Sequence, residues 1–200
     1  MSETKASPLL VIGAGIAGVT AALEAAEMGS EVVLVERQPA IGGRVMRTNN
    51  YFPKLCPPSC GMEINTRRLE RNPRIRVMTS STVTAAEKTD GGWAVTVTTA
   101  PAYVTAACTA CGDCEKACET TVPDPHNLGL CTAKAIRLPH LNAWPKRFVF
   151  DREAVGDAEA KKIADACAYG AIDLEETATT ETIDVGSVVV ATGWHPYPID

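Results

Sequence analysis

Eight cysteines stand in this 200-residue chain, and they are not spread evenly. Cys108, Cys111, Cys114 and Cys118 form a C-x2-C-x2-C-x3-C run, Cys56 and Cys60 enclose three residues, and Cys131 and Cys167 stand alone downstream. Thiolates are soft metal ligands and redox groups, and in a reducing compartment this clustering points to such uses rather than to disulfides. A second chemical feature is Gly13-Ala-Gly15-Ile-Ala-Gly18, a G-x-G-x-x-G followed by Glu36. Gly13 permits a tight turn, Gly15 lets a diphosphate approach the backbone, and Gly18 allows close packing of helix on strand. The free N–H groups and positive dipole end of a helix that starts there suit a diphosphate. Glu36 is placed to accept hydrogen bonds from ribose hydroxyls, and its charge disfavours a 2′-phosphate.

These features need elements to hold them. Pro8 to Ile12 is a short apolar run that stops at Gly13, as a buried parallel strand does. From Ile16 to Met28 the apolar residues Ile16, Val19, Leu23 and Ala26 recur at helical spacing, with Gly29 as a stop signal. Glu31 to Val35 predicts the next strand and delivers Glu36. Residues 37–62, rich in Gly, Pro and Asn, read as a long surface excursion of the kind that is often functional. A short helix over 63–70, a strand near 74–78, and strands over 80–86 and 93–99 joined by Asp90-Gly91-Gly92 follow. Periodicity is lost from Tyr103, and β signal returns at Thr182-Ile183 and from Ser187 to Ala191. The expected organisation is therefore 1–104, then an insertion over 105–175, then a return strand in 176–200.

Composition narrows the function. Lys and Arg number 19 against 24 Asp and Glu, a net charge of −5, which argues against nucleic-acid binding. The chain has 46% hydrophobic and 22% charged residues, a globular balance rather than a disordered one. No apolar run approaches the ~20 residues of a membrane-spanning helix. Met1 to Pro8 is short and polar, unlike a signal peptide, so a cytoplasmic chain is expected.

Gly42-Gly43-Arg44 follows Glu36 after five residues, and Ser187-Val-Val-Val-Ala191-Thr192-Gly193 is an apolar strand with a tight end. Together with the glycine loop, these motifs resemble the FAD-binding half of the glutathione-reductase-like flavoproteins. The resemblance implies a Rossmann-like, three-layer α/β fold. It also implies FAD as cofactor, bound through Gly13, Gly15, Gly18, Glu36, Gly42, Gly43, Arg44, Ala191, Thr192 and Gly193.

The cysteine run has the spacing with which bacterial ferredoxins hold [4Fe–4S] clusters. In that pattern the fourth Cys of the run serves a second cluster, and the fourth ligand of the first comes from a distant segment. Cys167-Ala-Tyr-Gly-Ala-Ile-Asp173 resembles that segment. The resemblance makes 105–175 a ferredoxin-like iron–sulfur module inserted into the FAD-binding domain. The ligand set expected is Cys108, Cys111, Cys114 and Cys167, with Cys118 as the alternative and Cys131 as a remote helper for it. Asp157, Ala160 and Ile163 stand where a second cluster would need cysteines, so one [4Fe–4S] cluster is expected rather than two. Zinc, which usually takes separated Cys pairs, and unrelated buried thiols are the plainer alternatives.

Phe52-Pro-Lys-Leu-Cys56-Pro-Pro-Ser-Cys60-Gly61, Leu138-Pro-His140 and Gly186 through Tyr197 resemble the A-subunit family of heterodisulfide reductase. The finer resemblance is to a relative of that family, the corresponding A-type component of the quinone-interacting membrane-bound oxidoreductase. That implies an oxidoreductase component relaying electrons between a quinone-linked membrane module and adenylylsulfate reductase in sulfate respiration. Its partners would be a second flavin/iron–sulfur subunit together with a membrane quinone-interacting subunit. The chain would then lie in the cytoplasm, peripheral to the inner membrane. One alternative is an electron-bifurcating flavoprotein of the heterodisulfide-reductase type. Another is a self-contained pyridine-nucleotide-dependent disulfide reductase, which needs an NAD(P)H domain, which the sequence lacks, and a dithiol at Cys56 and Cys60. A non-catalytic module stiffened by its cluster is a further reading. Members of this family continue past Ala-Thr-Gly with a Gly-Asp segment near the flavin, so a chain ending at Asp200 is expected to be a fragment or to have an incomplete flavin site.

Three features stay open. Cys56 and Cys60 fit a redox dithiol, ligands of a further cluster, a partner-facing pair, or packed structural thiols. Arg67, Arg68, Arg71, Arg74 and Arg76 read first as a solvated basic face and second as a docking patch for an acidic partner. His126, His140 and His195 are isolated in sequence, with a surface or interface role expected even for His195 beside the Ala-Thr-Gly turn.

Overall fold

The computed structural model describes residues 7–50 and 52–194. In chain order the first elements are β1 (Leu9–Ile12), α1 (Ile16–Glu27), β2 (Val32–Val35), a 3-10 turn (Gly43–Arg47), α2 (Ser59–Arg71) and β3 (Ile75–Met78). Then come β4 (Ser81–Thr89), β5 (Gly92–Thr99), α3 (Asp113–Ala117), β6 (Thr121–Pro123), β7 (Thr132–Lys134), β8 (Ile136–Arg137) and β9 (Val149–Phe150). The last are a 3-10 turn (Arg152–Ala154), α4 (Asp157–Asp165), β10 (Thr179–Val185) and β11 (Ser187–Val190). The chain divides into two compact units, one of residues 1–99 with 180–200, the other of residues 100–179.

The first unit is built on a parallel sheet in the order β11-β1-β2-β3. Leu9 to Ile12 pair in register with Ser187 to Val190 on one side and Val32 to Val35 on the other. Strands buried on both faces are continuous apolar runs, which is what Leu-Leu-Val-Ile and Val-Val-Leu-Val supply. The period of two divides them. Leu10, Val33 and Val35 pack with Met78, Val95, Val97 and Val185 beneath a second, antiparallel sheet of order β10-β5-β4. On the helical side, α1 lies against β1 and β2 and buries Val19, Ala22, Leu23 and Ala26. The result is an α/β unit with a Rossmann-like parallel sheet between helices and a β-layer.

The expected strands and first helix fall within two or three residues of those observed. The turn between β4 and β5 is the two residues Asp90 and Gly91. One boundary differs. The helix expected over 63–70 begins at Ser59 and takes in Cys60. Cys60 N–H donates to the Pro57 carbonyl at 3.1 Å and Met62 N–H to that of Pro58 at 3.2 Å. Pro57-Pro58 thus forms the helix entry, where a fixed φ and a missing N–H cost little.

The second unit has its own core of Val104, Cys114, Cys118, Ala135, Ile136, Phe148, Phe150, Val155, Ala160 and Ile163. Two short antiparallel pairs, β6 with β7 and β8 with β9, give it little sheet, and the remaining backbone is held by turns. Arg137, buried in this unit, donates to Asp151 Oδ2 at 2.7 Å and to the Lys134 carbonyl at 3.1 Å. No described helix is long and apolar enough to cross a membrane.

Candidate functional site

The glycine loop sits where the sequence places it, after β1 and opening α1. Gly13 has φ +100°, and a Cβ there would lie 2.5 Å from the Ala191 carbonyl oxygen. At Gly18 a Cβ would lie 1.8 Å from the Gly13 carbonyl oxygen. These two glycines therefore serve close packing of backbone on backbone. Gly15 is different, since a Cβ there meets nothing within 4 Å. It caps α1, whose first turn carries no acidic residue and whose cap has no side-chain hydrogen bond, so the leading N–H groups face open space.

Two further segments converge on this loop. Gly42 N–H donates to the Ala14 carbonyl at 2.8 Å, and a Cβ on Gly43 would lie 3.0 Å from Gly15 Cα. On the other side, Ala191 N–H donates to the Ile12 carbonyl at 2.8 Å, and Thr192 Cα would lie 3.1 Å from a Cβ on Gly13. Gly193 has φ +68°. The Arg44 guanidinium lies over the Trp194 ring, 4.2 Å from its centroid, a cation–π contact that links the two flanking segments.

Glu36 is buried at the end of β2. Ala14 N–H donates to its Oε2 at 2.6 Å and Gln38 N–H to its Oε1 at 2.7 Å. A carboxylate so placed pins the glycine loop to the second strand as well as keeping one further lone pair on each oxygen. That pinning is invisible in the motif alone. The arrangement fits a dinucleotide: donors at Gly15, a carboxylate at the strand end, and no side chain in the approach.

In the second unit Cys108, Cys111, Cys114 and Cys167 are neighbours. Burial pushes the Cys114 thiol up to about 11, a backbone hydrogen bond from Glu115 opposes this, and Cys108, Cys167 and Cys111 raise it further. Ala110 N–H donates to the Cys108 sulfur and Ala171 N–H to the Cys167 sulfur, each at 3.4 Å. Hydrogen bonds of this type to sulfur tune iron–sulfur clusters. Among the described residues, no three His, Cys, Asp or Glu side chains stand at metal-holding geometry. The four residues fit an iron–sulfur group in donor type and in neighbourhood.

Cys118 is placed otherwise. It is buried in the core with Ala160 and Ile163, and its thiol donates to the Thr120 carbonyl at 3.3 Å. Beside it Glu159 on α4 accepts from Glu119 N–H at 2.7 Å, Thr120 N–H at 2.8 Å and Thr120 Oγ1 at 2.7 Å. The Thr120 bonds, followed by Glu119 and Cys118, hold the Glu159 carboxyl down at about 2. Cys131 is exposed and bonded within its own loop, accepting from Asn127 Nδ2 at 3.2 Å and donating to Asp124 Oδ2 at 3.7 Å.

Comparison with known proteins adds the family. An FAD-dependent oxidoreductase family model matches residues 8–56. The A subunit of the ferredoxin:CoB-CoM heterodisulfide reductase of Methanosarcina acetivorans is 34% identical over 97% of this chain and 25% of its own length. An iron-sulfur A subunit of the CoB-CoM heterodisulfide reductase of Methanopyrus kandleri is 34% identical over 94% of this chain and 28% of its own. The chain is heterodisulfide reductase A-subunit-like. A protein of Archaeoglobus profundus that bears the same description is 34% identical over 93% of this chain and 30% of its own. This A-subunit-like oxidoreductase chain thus spans between a quarter and a third of the length of these relatives.

Other residues singled out in the sequence take plainer places. Cys56 is half-buried and Cys60 exposed on the first turn of α2, both as free thiols. Four of the five arginines are in ion pairs: Arg67 with Glu63, Arg68 with Glu24 and Glu27, Arg74 with Glu31, and Arg76 with Glu181. Their charge is matched locally, which corrects the docking-patch alternative in favour of a solvated face. His126 and His140, isolated in sequence, are stacked with centroids 5.1 Å apart. Only the meeting of two loops could have revealed that pair. His195 lies outside the described residues.

Proposed function

We propose that the chain is the flavin- and cluster-binding part of an electron-transfer subunit in a heterodisulfide-reductase-type complex. When bound, FAD supplies two-electron chemistry and a single [4Fe–4S] cluster supplies one-electron transfer. The glycine loop, Gly42, Gly43 and Arg44, and the Ala191-Thr192-Gly193 turn hold the dinucleotide, with Glu36 on its ribose. Gly15 presents backbone donors to the diphosphate, and Arg44, braced on Trp194, brings a positive charge to the same end of the loop. Cys108, Cys111, Cys114 and Cys167 hold the cluster, Ala110 and Ala171 donate to its sulfur ligands, and the buried side of Cys114 excludes water. Cys111, which is exposed, marks the edge from which an electron leaves for a partner. The chain's own contribution is placement and potential rather than acid–base catalysis.

The observation that carries this reading is the gathering of Cys108, Cys111 and Cys167 around Cys114 in a chain that also holds an open glycine cradle. The relatives support a heterodisulfide-reductase-type setting over the quinone-linked one, in which electrons pass on to adenylylsulfate reductase. The sulfate-respiration reading rests on the Phe52–Gly61 and Gly186–Tyr197 motifs, and with it goes a cytoplasmic place peripheral to the membrane. The test is anaerobic reductive titration of the reconstituted chain, followed by flavin absorbance and the electron paramagnetic signal of the reduced cluster. Bleaching of the flavin with appearance of that signal supports a relay. NAD(P)H oxidation dependent on Cys56 and Cys60 would instead favour a self-contained disulfide reductase.

A further inference from the structure

We infer that Glu159 is a positioning residue for the cluster, acting through α4 on Cys167. The inference rests on the proposed [4Fe–4S] reading. Three of the proposed ligands lie in one short segment, Cys108 to Cys114, whereas Cys167 is more than fifty residues later in the sequence. Something must fix the distance between them. Helix α4 is the only described α-helix between the cysteine run and Cys167, and it leads straight into that residue: Ala166 N–H donates to the Lys162 carbonyl and Cys167 N–H to that of Ala164. At its other end, Glu159 clamps the segment that follows the cysteine run by three hydrogen bonds to Glu119 and Thr120. Lys162, one turn on, adds an ion pair with Glu119 at 2.6 Å.

The helix is therefore an arm. Its first turns are tied to the chain just beyond Cys118, and its last turn delivers Cys167. The inner face of the same helix supplies Ala160 and Ile163, which close the core over Cys118. These are two of the positions where a second cluster would require cysteines. In their place stands apolar packing, and Glu159 ties the arm down by hydrogen bonds. Two backbone N–H groups and one hydroxyl converge on one carboxylate, and charge-assisted bonds of this kind are about twice as strong as neutral ones. Removing the carboxylate leaves those donors to water and frees the arm to shift Cys167 away from its three partners.

The test uses the full chain reconstituted anaerobically with iron and sulfide, comparing wild type with Glu159→Ala, Glu159→Gln and, as an exposed control in the same unit, Glu153→Gln. The readouts are iron per chain and the electron paramagnetic signal of a three-iron cluster in the oxidised state. Glu159→Ala is expected to lose iron and to show a several-fold larger three-iron signal, since the ligand at risk is one thiolate of four. Glu159→Gln, which keeps an acceptor for the two N–H groups, is expected to recover most of the loss, and Glu153→Gln to match wild type. Should Glu159→Ala fail to fold, Thr120→Val removes only the hydroxyl contact and is expected to shift the signal in the same direction. Wild-type iron content and no three-iron signal in a folded variant lacking the clamp would overturn the inference alone. A wild-type chain that takes up no cluster at all would overturn the cluster reading and the inference with it.

Discussion

Gly18 and Gly15 belong to one motif, yet the structure assigns them separable tasks, and alanine at each should tell them apart. At Gly18 the new Cβ would stand 1.8 Å from the Gly13 carbonyl oxygen, a contact with backbone that no rotamer change relieves. Helix α1 must move off β1, and overpacking of this kind costs about 3 kcal/mol. The substitution also replaces a helical glycine by alanine, which returns about 1 kcal/mol. The net loss of about 2 kcal/mol corresponds to a fall in Tm of roughly 4–8 °C for a chain of this size. At Gly15 a Cβ meets nothing within 4 Å, and its φ of −72° suits any residue, so Gly15→Ala should leave Tm unchanged. It should instead weaken FAD, whose diphosphate needs that space, by about tenfold, or about 1.4 kcal/mol. Thermal unfolding followed by circular dichroism and FAD titration by fluorescence measure the two effects. A Gly18→Ala chain as stable as wild type, or a Gly15→Ala chain that binds FAD with wild-type affinity, would refute this division of labour.

Further outcomes follow from the second unit. Glu159 is held at about 2 against an ordinary value of 4.5, so the folded state prefers its ionised form. Its stabilising contribution is complete above about pH 4.5 and is lost as the pH falls toward 2; acid unfolding of wild type should therefore be steeper through that window than that of Glu159→Gln. Cys167→Ser should lower iron per chain after reconstitution, whereas Cys118→Ser should leave it at the wild-type level, and equal losses would refute the separation of the two thiols. Asp151→Ala leaves the buried Arg137 guanidinium with only its carbonyl partner. Because Asp151 itself is half-exposed, the cost should be about 1–2 kcal/mol in chemical denaturation, between the values for surface and buried pairs.

The parallel sheet was legible because burial on both faces writes itself as unbroken apolar runs, and because G-x-G-x-x-G is read together with the strand before it and the acid after it. What escaped the sequence depends on partners distant in the chain. Nothing in Glu36 itself says that Ala14 N–H will occupy one of its oxygens, or in Arg68 that Glu24 and Glu27 will meet it. Pro57-Pro58 suggested a stiff loop, yet proline is equally at home at a helix entry, and only the bonds from Cys60 and Met62 decide. In the second unit, thiol spacing conveyed the neighbourhood of Cys108, Cys111 and Cys114. The clamp at Glu159 had no motif to announce it, since a glutamate on an amphipathic helix looks like any solvated charge. The stacking of His126 on His140 likewise arises from two irregular loops whose path no periodicity records.

One quantity bears on the whole reading: flavin, iron and acid-labile sulfide per chain after oxygen-free reconstitution. About one flavin with about four irons and four sulfides is expected for one nucleotide cradle and one cubane. Protein that retains neither flavin nor iron, or that binds about one zinc in place of the cluster, would contradict it.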